Sequence, residues 1–286
     1  MIKTILVPEL NATSNSKALA MAAQVARLFD GHIELLHVHP DAAEMARYAA
    51  SLNVEHAVFT GEVWQALQRA DKARTASSQA DCDQFAAKEK LVAASNVTTS
   101  WQEVSGNEVE QIILRAFCHD LVVFSRPEAP ATLSTLSIGD VLVGCGHPLL
   151  LAPSKPCASL ISSVVIAWKD APASARAVSA AMPLLAKADK IVILEAVEDG
   201  DDAQAAINST ERLAAHLRCH GLKPQTGHVK FDHRDACQSI MEAAVKLHAG
   251  LVVMGGYSHS RARELIFGGF TRHVMREAPV PVFLCH

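Results

Sequence analysis

The sequence predicts an α/β protein made of two tandem domains, each built on a five-stranded parallel sheet covered by helices. The length of 286 residues is enough for two domains of about 100–200 residues, and either half can bury its own core. Half of the residues are apolar but only 5% are aromatic, which favours helices packed on parallel sheets over an all-β sandwich. The third observation, an internal repeat, sets the number of domains at two.

The same order of features occurs twice, in copies that begin at Thr4 and at Ser163 and are offset by about 159 residues. Each copy reads strand, polar turn, helix, strand. Its apolar runs are continuous rather than alternating, as expected of strands that are covered on both faces. The predicted first and second strands are Ile5–Val7 and Ile33–Val38 in one copy, and Val164–Ile166 and Ile191–Val197 in the other.

The two copies also end alike, in a strand, a long connection and a short last strand. These endings are His119–Ser125 with His147–Pro153, and Ala249–Gly256 with Val280–His286. Helical stretches at Asp71–Ala94 and Ala203–His220 lie before them, and Gly221 provides a stop signal for the second. Each half is therefore predicted to contain five strands and four helices.

The predicted domains cover residues 1–154 and 160–286, joined by the linker Ser154–Ser159, whose Pro and Ser separate two buried strands. The alternative is a single doubly wound domain in which the pattern is repeated by chance. Four separate features in the same order favour the tandem arrangement.

The net charge and the cysteine pattern limit the kinds of function to be expected. The net charge is −4 and no cluster of Lys and Arg is present, so nucleic acid is not an expected partner. The seven cysteines are scattered and contain no CxxC pair, which indicates neither a disulfide framework nor a zinc ribbon. Cys118 and Cys145 are predicted to be small core residues. No leader-like apolar stretch or transmembrane run is present, so we expect a soluble, cytoplasmic protein without membrane contact.

A loop in the second half carries the strongest chemical signal. The predicted strand ends at Met254, Gly255 and Gly256 follow, and a second pair, Gly268 and Gly269, precedes a predicted helix over Phe270–Glu277. Glycines that open a helix let the backbone approach an anion, and the free N–H groups of the helix favour negative charge, so phosphate is the natural candidate. Glycines are also common turn residues, and this structural interpretation stays open. Neither GxGxxG nor a P-loop occurs.

The loop resembles the nucleotide signature of the universal stress protein family, which is Gly, two residues, Gly, nine residues, Gly, then Ser or Thr. The spacing is intact from Gly255 through residue 258 to Gly268. Two positions depart, because Ser258 stands at the second Gly and Gly269 at the Ser or Thr, although Thr271 offers a hydroxyl nearby. The resemblance covers the whole chain. It implies two tandem Rossmann-like domains of the adenine nucleotide alpha hydrolase-like type.

The same resemblance implies a stress-response protein whose C-terminal domain binds ATP or another adenine nucleotide, with or without Mg²⁺, and which has at most weak ATPase activity. The family commonly places an Asp after the first strand, where this chain has Leu10 or Lys169, with Asp170 one place later. No catalytic residue is predicted. The implied nucleotide-binding residues are Ala167, Asp170, Val197 and Met254 around the base and ribose, and Gly255, Ser258, Gly268, Gly269, Phe270 and Thr271 around the phosphates.

The first half departs further from the signature and is predicted to be structural. After Phe124 the chain reads Ser125-Arg126-Pro127-Glu128-Ala129-Pro130, and proline removes the N–H groups that a phosphate would need. The resemblance further implies that the halves pair through their last strands, near Pro148–Ala152 and Pro281–Cys285, as an internal pseudo-dimer. A homodimer of the tandem chain is also consistent with it.

Other candidate sites carry weaker signals. His216 and His220 share one helix face beside Cys219, yet no further ligand is identifiable, and an exposed helix end is the commoner explanation. His37 and His39, which flank a strand end, and His259 in the glycine loop are interpreted as ordinary polar residues. No metal site is predicted. Arg261 and Arg263 lie between the glycine pairs and either reach a bound triphosphate or form a solvated arm.

Two other functions remain open at the level of sequence. The departures at Lys169, Ser258 and Gly269 permit an interaction or scaffold protein of the same family that binds no nucleotide. A hydrolase or transferase ranks last, because Ser258 lacks the GxSxG elbow and no base can be paired with it.

Overall fold

The computed structural model describes residues 1–9, 16–39, 61–90, 92, 96–126, 133–155, 157–198, 203–231, 236–256, 274 and 278–286. In the first half the elements are β1 (Thr4–Pro8), α1 (Ser16–Phe29), β2 (His32–His39), α2 (Gly61–Lys90), β3 (Thr98–Ser105), α3 (Glu108–Ala116), β4 (Leu121–Ser125), α4 (Leu133–Gly144) and β5 (Leu149–Ala152). In the second half they are β6 (Val164–Trp168), α5 (Pro172–Leu185), β7 (Ile191–Glu198), α6 (Ala203–Cys219), β8 (Gln225–Phe231), α7 (Ala236–Lys246), β9 (Leu251–Gly255) and β10 (Val282–Cys285).

The strands form one ten-stranded sheet in the order β3-β2-β1-β4-β5-β10-β9-β6-β7-β8. Within each half all pairings are parallel, and the two halves have the same strand order, so the predicted α/β class with five-stranded parallel sheets is confirmed. The halves join through the antiparallel pairing of β5 with β10, in which Leu151 lies opposite Val282. The two five-stranded sheets are therefore continuous, and the expected pairing of the last strands is present.

The apolar runs found in the sequence form the centre of this sheet. Residues of β1, β4, β5, β9 and β10 are almost all buried, and helices pack on both faces to give two apolar clusters. Phe124 and Phe283 are the largest fully buried side chains. Continuous apolar strands are the expected signature of this two-sided burial. In a sheet of this kind a ligand binds at the carboxyl ends of the strands, where the loops meet.

The helix boundaries agree with the sequence in one half and differ in the other. Helix α6 covers Ala203–Cys219, and Gly221 stops it with φ of +77°, a conformation in which glycine carries no steric penalty. Helix α2 begins at Gly61, ten residues before the predicted start at Asp71, because the segment GEVWQALQRA contains good helix formers and no Pro. The predicted helix Phe270–Glu277 lies outside the described residues apart from Val274.

All seven cysteines are free thiols. Cys145 is buried as predicted, whereas the prediction for Cys118 is wrong, because this side chain is exposed in the turn after α3. Over the described part of the chain, no helix combines the length and the apolar character that a membrane span requires.

Candidate functional site

The predicted base and ribose residues lie at the carboxyl edge of the second half's sheet. Ala167 on β6 is directly opposite Met254 on β9, and on its other side it pairs with Leu194 of β7. Val197 lies three residues further along β7, so the ends of the three strands are side by side. The sequence-based expectation that Ala167 and Met254 meet is therefore correct for the backbone.

The side chains at this edge are mostly apolar. Met254 and Val197 are 3% and 8% exposed, and Ala167 is half-buried. Ala167 packs in the same apolar cluster as Met254, so these two side chains share one face of the sheet, whereas the alternation along β7 places Val197 on the other face. The apolar surface formed by Ala167 and Met254 suits the flat face of a base better than it suits a charged group.

Gly255 has a structural reason to be glycine. A Cβ added there would lie 2.6 Å from the backbone nitrogen of Ser174 and 2.7 Å from the carbonyl carbon of Ala173. Both atoms belong to the first turn of α5, so the missing side chain lets this helix begin directly against the end of β9. The residue before the helix, Ala171, makes no side-chain cap, and Pro172 occupies the first turn.

Asp170 lies past the end of β6 and forms an ion pair with Arg212 of α6, with 2.5 Å between the carboxylate oxygen and the guanidinium nitrogen. Both side chains are more than half exposed, so the pair contributes at most about 1 kcal/mol to stability. Because this ion pair is weak and exposed, the carboxylate of Asp170 at the edge of the sheet remains accessible to a ligand hydroxyl.

A second polar group at this edge was not predicted from sequence. Burial is the largest influence on Glu195 of β7 and raises the pKa of its carboxyl, while a hydrogen bond with Ser209 opposes the rise. Within the part of the chain that the structure describes, one carboxylate oxygen of Glu195 is buried without a hydrogen-bond partner. Ser209 also accepts a hydrogen bond of 3.0 Å from the indole N–H of Trp168. Sequence reasoning missed Glu195 because it lies within a continuous apolar run, where a single Glu does not change the strand pattern.

The phosphate-binding part of the predicted site cannot be placed in the same way. The residues Ser258, Gly268, Gly269, Phe270 and Thr271 lie outside the described residues, as do His259, Arg261 and Arg263. Their roles stay predictions. Gly256, the last described residue before them, donates its N–H to the carbonyl of Cys285 at 2.8 Å and continues the sheet edge.

The matching position in the first half is Arg126, which directly follows β4 as Gly256 follows β9. Its side chain is 5% exposed and donates from one terminal nitrogen to the carbonyl of Ala278 in the other half. Its other two guanidinium nitrogens are buried without a hydrogen-bond partner among the described residues. This burial lowers the pKa of Arg126 to about 10. A large cation therefore occupies the place that glycine takes in the second half.

The model of the universal stress protein family matches residues 161–286. Over these residues the chain is similar to the universal stress protein family. The match begins within three residues of β6 and includes the whole glycine loop, so the family signature and the carboxyl edge belong to the same domain. No curated protein matches the sequence.

Solved structures extend the fold likeness to the whole chain. A universal stress protein from Archaeoglobus fulgidus DSM 4304 has a TM-score of 0.70 at 17% identity, covering 99% of this chain and 97% of its own. A functionally unknown protein from Pseudomonas aeruginosa PAO1 has a TM-score of 0.58 at 14% identity, with 99% and 92% covered. The cytoplasmic domain of a prokaryotic cation chloride cotransporter has 0.50 at 15%, with 99% and 95% covered. At these identities the likeness concerns the fold alone.

Proposed function

We propose that this chain is a stress-response protein whose C-terminal universal stress protein domain binds an adenine nucleotide, ATP or a close relative. The observation that carries the proposal is the signature spacing from Gly255 to Gly268 inside the domain that the family model matches. The loop leaves the sheet at the edge where Ala167 lies opposite Met254. Ligands of open α/β sheets bind at such carboxyl ends.

The described residues suit the nucleoside part of the ligand. Met254 and the small Ala167 offer an apolar surface for the base, and Asp170 offers an exposed carboxylate oxygen to a ribose hydroxyl. The phosphates are assigned to Gly268, Gly269 and Thr271 by the signature alone. Mg²⁺, where present, is expected to be carried on the phosphates, because such ions are bound largely through phosphate oxygens and water.

The first half is proposed to bind no nucleotide. Arg126 fills the position of Gly256, and Pro127 and Pro130 remove two N–H groups from the loop that would surround the phosphates. Its role in this proposal is to pair with the second half through β5 and β10. The tandem chain then resembles a dimer of domains with one active nucleotide site.

The test is calorimetric titration of the purified protein with ATP, ADP and AMP, with and without magnesium, and with GTP for comparison. Wild type is expected to bind one equivalent of an adenine nucleotide. Gly268→Glu introduces a negative charge at the predicted phosphate site and is expected to weaken binding by at least about tenfold, or about 1.4 kcal/mol. Gln225→Glu is the matched control, since Gln225 is exposed at the amino end of β8 and the substitution adds the same charge.

A second candidate is an interaction protein of the same family that binds no nucleotide, favoured by the departures at Lys169, Ser258 and Gly269. The absence of any nucleotide signal in wild type, with partners captured equally by wild type and Gly268→Glu, would establish this candidate instead. A tenfold loss in Gln225→Glu as well would show that the titration reports overall charge and not the site.

A further inference from the structure

The carboxyl edge of the first half carries a convergent group of side chains that the function above does not use. His37 and His39 come from β2, and Asp71 comes from α2. One donor atom from each lies within 4.8 Å of the other two. Across the described part of the chain, this is the one group of three or more His, Cys, Asp or Glu side chains with such convergence.

The fold explains why residues so far apart in sequence meet. His37 and His39 are two positions apart on a strand and therefore project from the same face of the sheet. Their rings contact edge to face, with 4.7 Å between centroids. Helix α2 packs on that face, and Asp71 and Thr75 are one helical turn apart on its inner side.

The three donors already have nearly the separations that a small metal ion needs. Asp71 Oδ2 is 2.7 Å from His39 Nδ1, and Asp71 Oδ1 is 3.7 Å from His37 Nε2. Two ligands of a tetrahedral zinc ion, each about 2.0–2.1 Å from the metal, lie about 3.3 Å apart. This spacing is reached if the contact between His39 and Asp71 lengthens by about half an ångström and the contact between His37 and Asp71 shortens by a similar amount.

Each imidazole is oriented by a second carboxylate on its far nitrogen. His37 Nδ1 lies 2.6 Å from Glu9 Oε2, and His39 Nε2 lies 3.2 Å from Glu103 Oε2. When the far nitrogens donate to these carboxylates and the near nitrogens lose the protons that they now share with Asp71 and Thr75, the near lone pairs become available for a metal ion beside Asp71. Histidines that bind a metal ion usually donate their second N–H to a carboxylate in this way, because the hydrogen bond sets the tautomer and the orientation of the ring.

Charge and the remaining contacts also suit a dication. The carboxylates of Glu9, Asp71 and Glu103 carry three negative charges, and Arg74, 2.8 Å from Asp71 Oδ1, neutralises one. With neutral imidazoles the group has a formal charge of −2. The Thr75 hydroxyl donates to the Asp71 carbonyl at 2.9 Å, so in its 3.1 Å contact with His37 Nε2 it accepts a hydrogen bond from the imidazole. That proton is released when the nitrogen binds a metal ion.

We propose that His37, His39 and Asp71 bind one divalent transition-metal ion of the Zn²⁺ class. Imidazole nitrogens with a single carboxylate suit zinc and its neighbours, whereas Mg²⁺ and Ca²⁺ prefer oxygen ligands throughout. The His37 side chain is 2% exposed, while those of His39 and Asp71 are 26% and 20% exposed, so the group opens to solvent on one side. That side admits the ion and leaves its fourth position to water.

The second half contains a natural comparison at the same place. Because Ile33 pairs with Ile5 as Ile191 pairs with Val164, the position of His39 corresponds to Val197. By the same register His37 corresponds to Glu195. The second half therefore lacks both imidazoles, and His39→Val replaces the ligand with a residue that this strand position already accommodates in the same sheet.

The test uses the full chain, stripped with a chelator and kept reduced, and titrated with Zn²⁺ against a chromophoric competitor. Wild type is expected to bind one tight equivalent, and the zinc-bound protein is expected to melt at a higher temperature, because the ion joins α2 to β2. His39→Val and Asp71→Asn are each expected to lower the zinc affinity by at least about 100-fold, since even mutation of a group that only hydrogen-bonds to a ligand lowers metal affinity by about 10–100-fold. Glu103→Gln is expected to cost about tenfold.

The matched control is the double variant His216→Ala and His220→Ala at the end of α6 and just after it, whose rings are 4.9 Å apart and form no group of three with any described donor. It is expected to leave the tight equivalent unchanged. The proposal is overturned if wild type binds no tight equivalent, or if correctly folded His39→Val and Asp71→Asn retain it. It is also overturned if Co²⁺ substitution gives a thiolate charge-transfer band, which would place the ion on the cysteines.

Discussion

The two halves place different chemistry at equivalent edges of one sheet. At the end of β2 the first half has His37 and His39 between carboxylates, whereas the second half has Glu195 and Val197 at the end of β7. The strands that lead to both edges are buried to the same extent, with five of eight residues buried in each. The comparison teaches that the repeated pattern preserves the sheet, while the last two or three residues of each strand determine what the edge can bind.

The halves also differ on either side of the strand that leads to the nucleotide loop. Asp120 comes directly before β4 in the first half, whereas Gly250 comes directly before β9 in the second. Arg126 comes directly after β4, whereas Gly256 comes directly after β9. Asp120 and Arg126 use their side chains to bind other segments. Gly250 and Gly256 allow close approach instead, since a Cβ at Gly256 would lie 2.7 Å from the Leu142 side chain of the first half.

The largest expected effect is that of Gly250→Ala. A Cβ there would collide with the carbonyl oxygen of Ser159 and lie 3.1 Å from the backbone of Leu160, so the segment that joins the halves must move. We expect the free energy of unfolding to fall by about 3 kcal/mol, at the upper end of overpacking effects, measured by urea denaturation. Gly146→Ala, with open space but a positive φ of +68°, is the control, and an equal loss in both would contradict the role of Ser159.

A smaller effect of opposite sign is expected for Arg126→Met. Burial of the guanidinium, two of whose nitrogens have no partner, lowers the pKa of Arg126 to about 10 and shows that the charge is unfavourable there. An apolar side chain of similar length is expected to raise the free energy of unfolding by about 1–2 kcal/mol, measured by urea denaturation at pH 7. A loss of stability would show instead that the hydrogen bond to Ala278 outweighs the buried charge.

The smallest effect is expected for Asp120→Asn. Burial by itself would raise the pKa of Asp120, but hydrogen bonds from the backbone of Lys3 and Thr4 and from the Thr4 hydroxyl outweigh it, so the pKa is lowered. The ionised form therefore stabilises the folded state by about 1 kcal/mol at pH 7.

The sign of this shift sets the pH range of the test. Stability from Asp120 is fully present above the unfolded pKa of about 3.9 and is lost as the pH falls through the lower folded value. The difference between wild type and Asp120→Asn, measured by denaturation from pH 7 downward, is expected to shrink below about pH 4. A difference that persists unchanged at pH 2 would show that the charge of Asp120 has no part in it.

Much of the fold could be predicted from the sequence, and the exceptions share a cause. The central strands are continuous apolar runs and were found, whereas β3 and β8, at the two edges of the sheet, are partly exposed and were not located. The early start of α2 was missed for a similar reason. The edge strands lack the uniform burial that makes a sequence pattern easy to read, and in the early part of α2 Gln65 and Arg69 are exposed.

The candidate sites divide in the same way. That Ala167 and Met254 meet follows from strand order in an open parallel sheet, so sequence reasoning could predict it. The group of His37, His39 and Asp71 could not be predicted, because Asp71 comes from a helix whose rotation against β2 depends on packing. The available signal was the pair of histidines two positions apart at a strand end.

The sequence by itself determined the α/β class, the twofold repeat and the glycine spacing of the nucleotide loop, because each of these follows from local pattern and chain order. Only the tertiary structure decided the antiparallel register in which β5 pairs with β10, the room that Gly255 makes for the start of α5, and the contact of Asp71 with the two histidines. These three features depend on distances between segments far apart in the chain. Such distances are set by packing of the whole molecule and not by neighbouring residues.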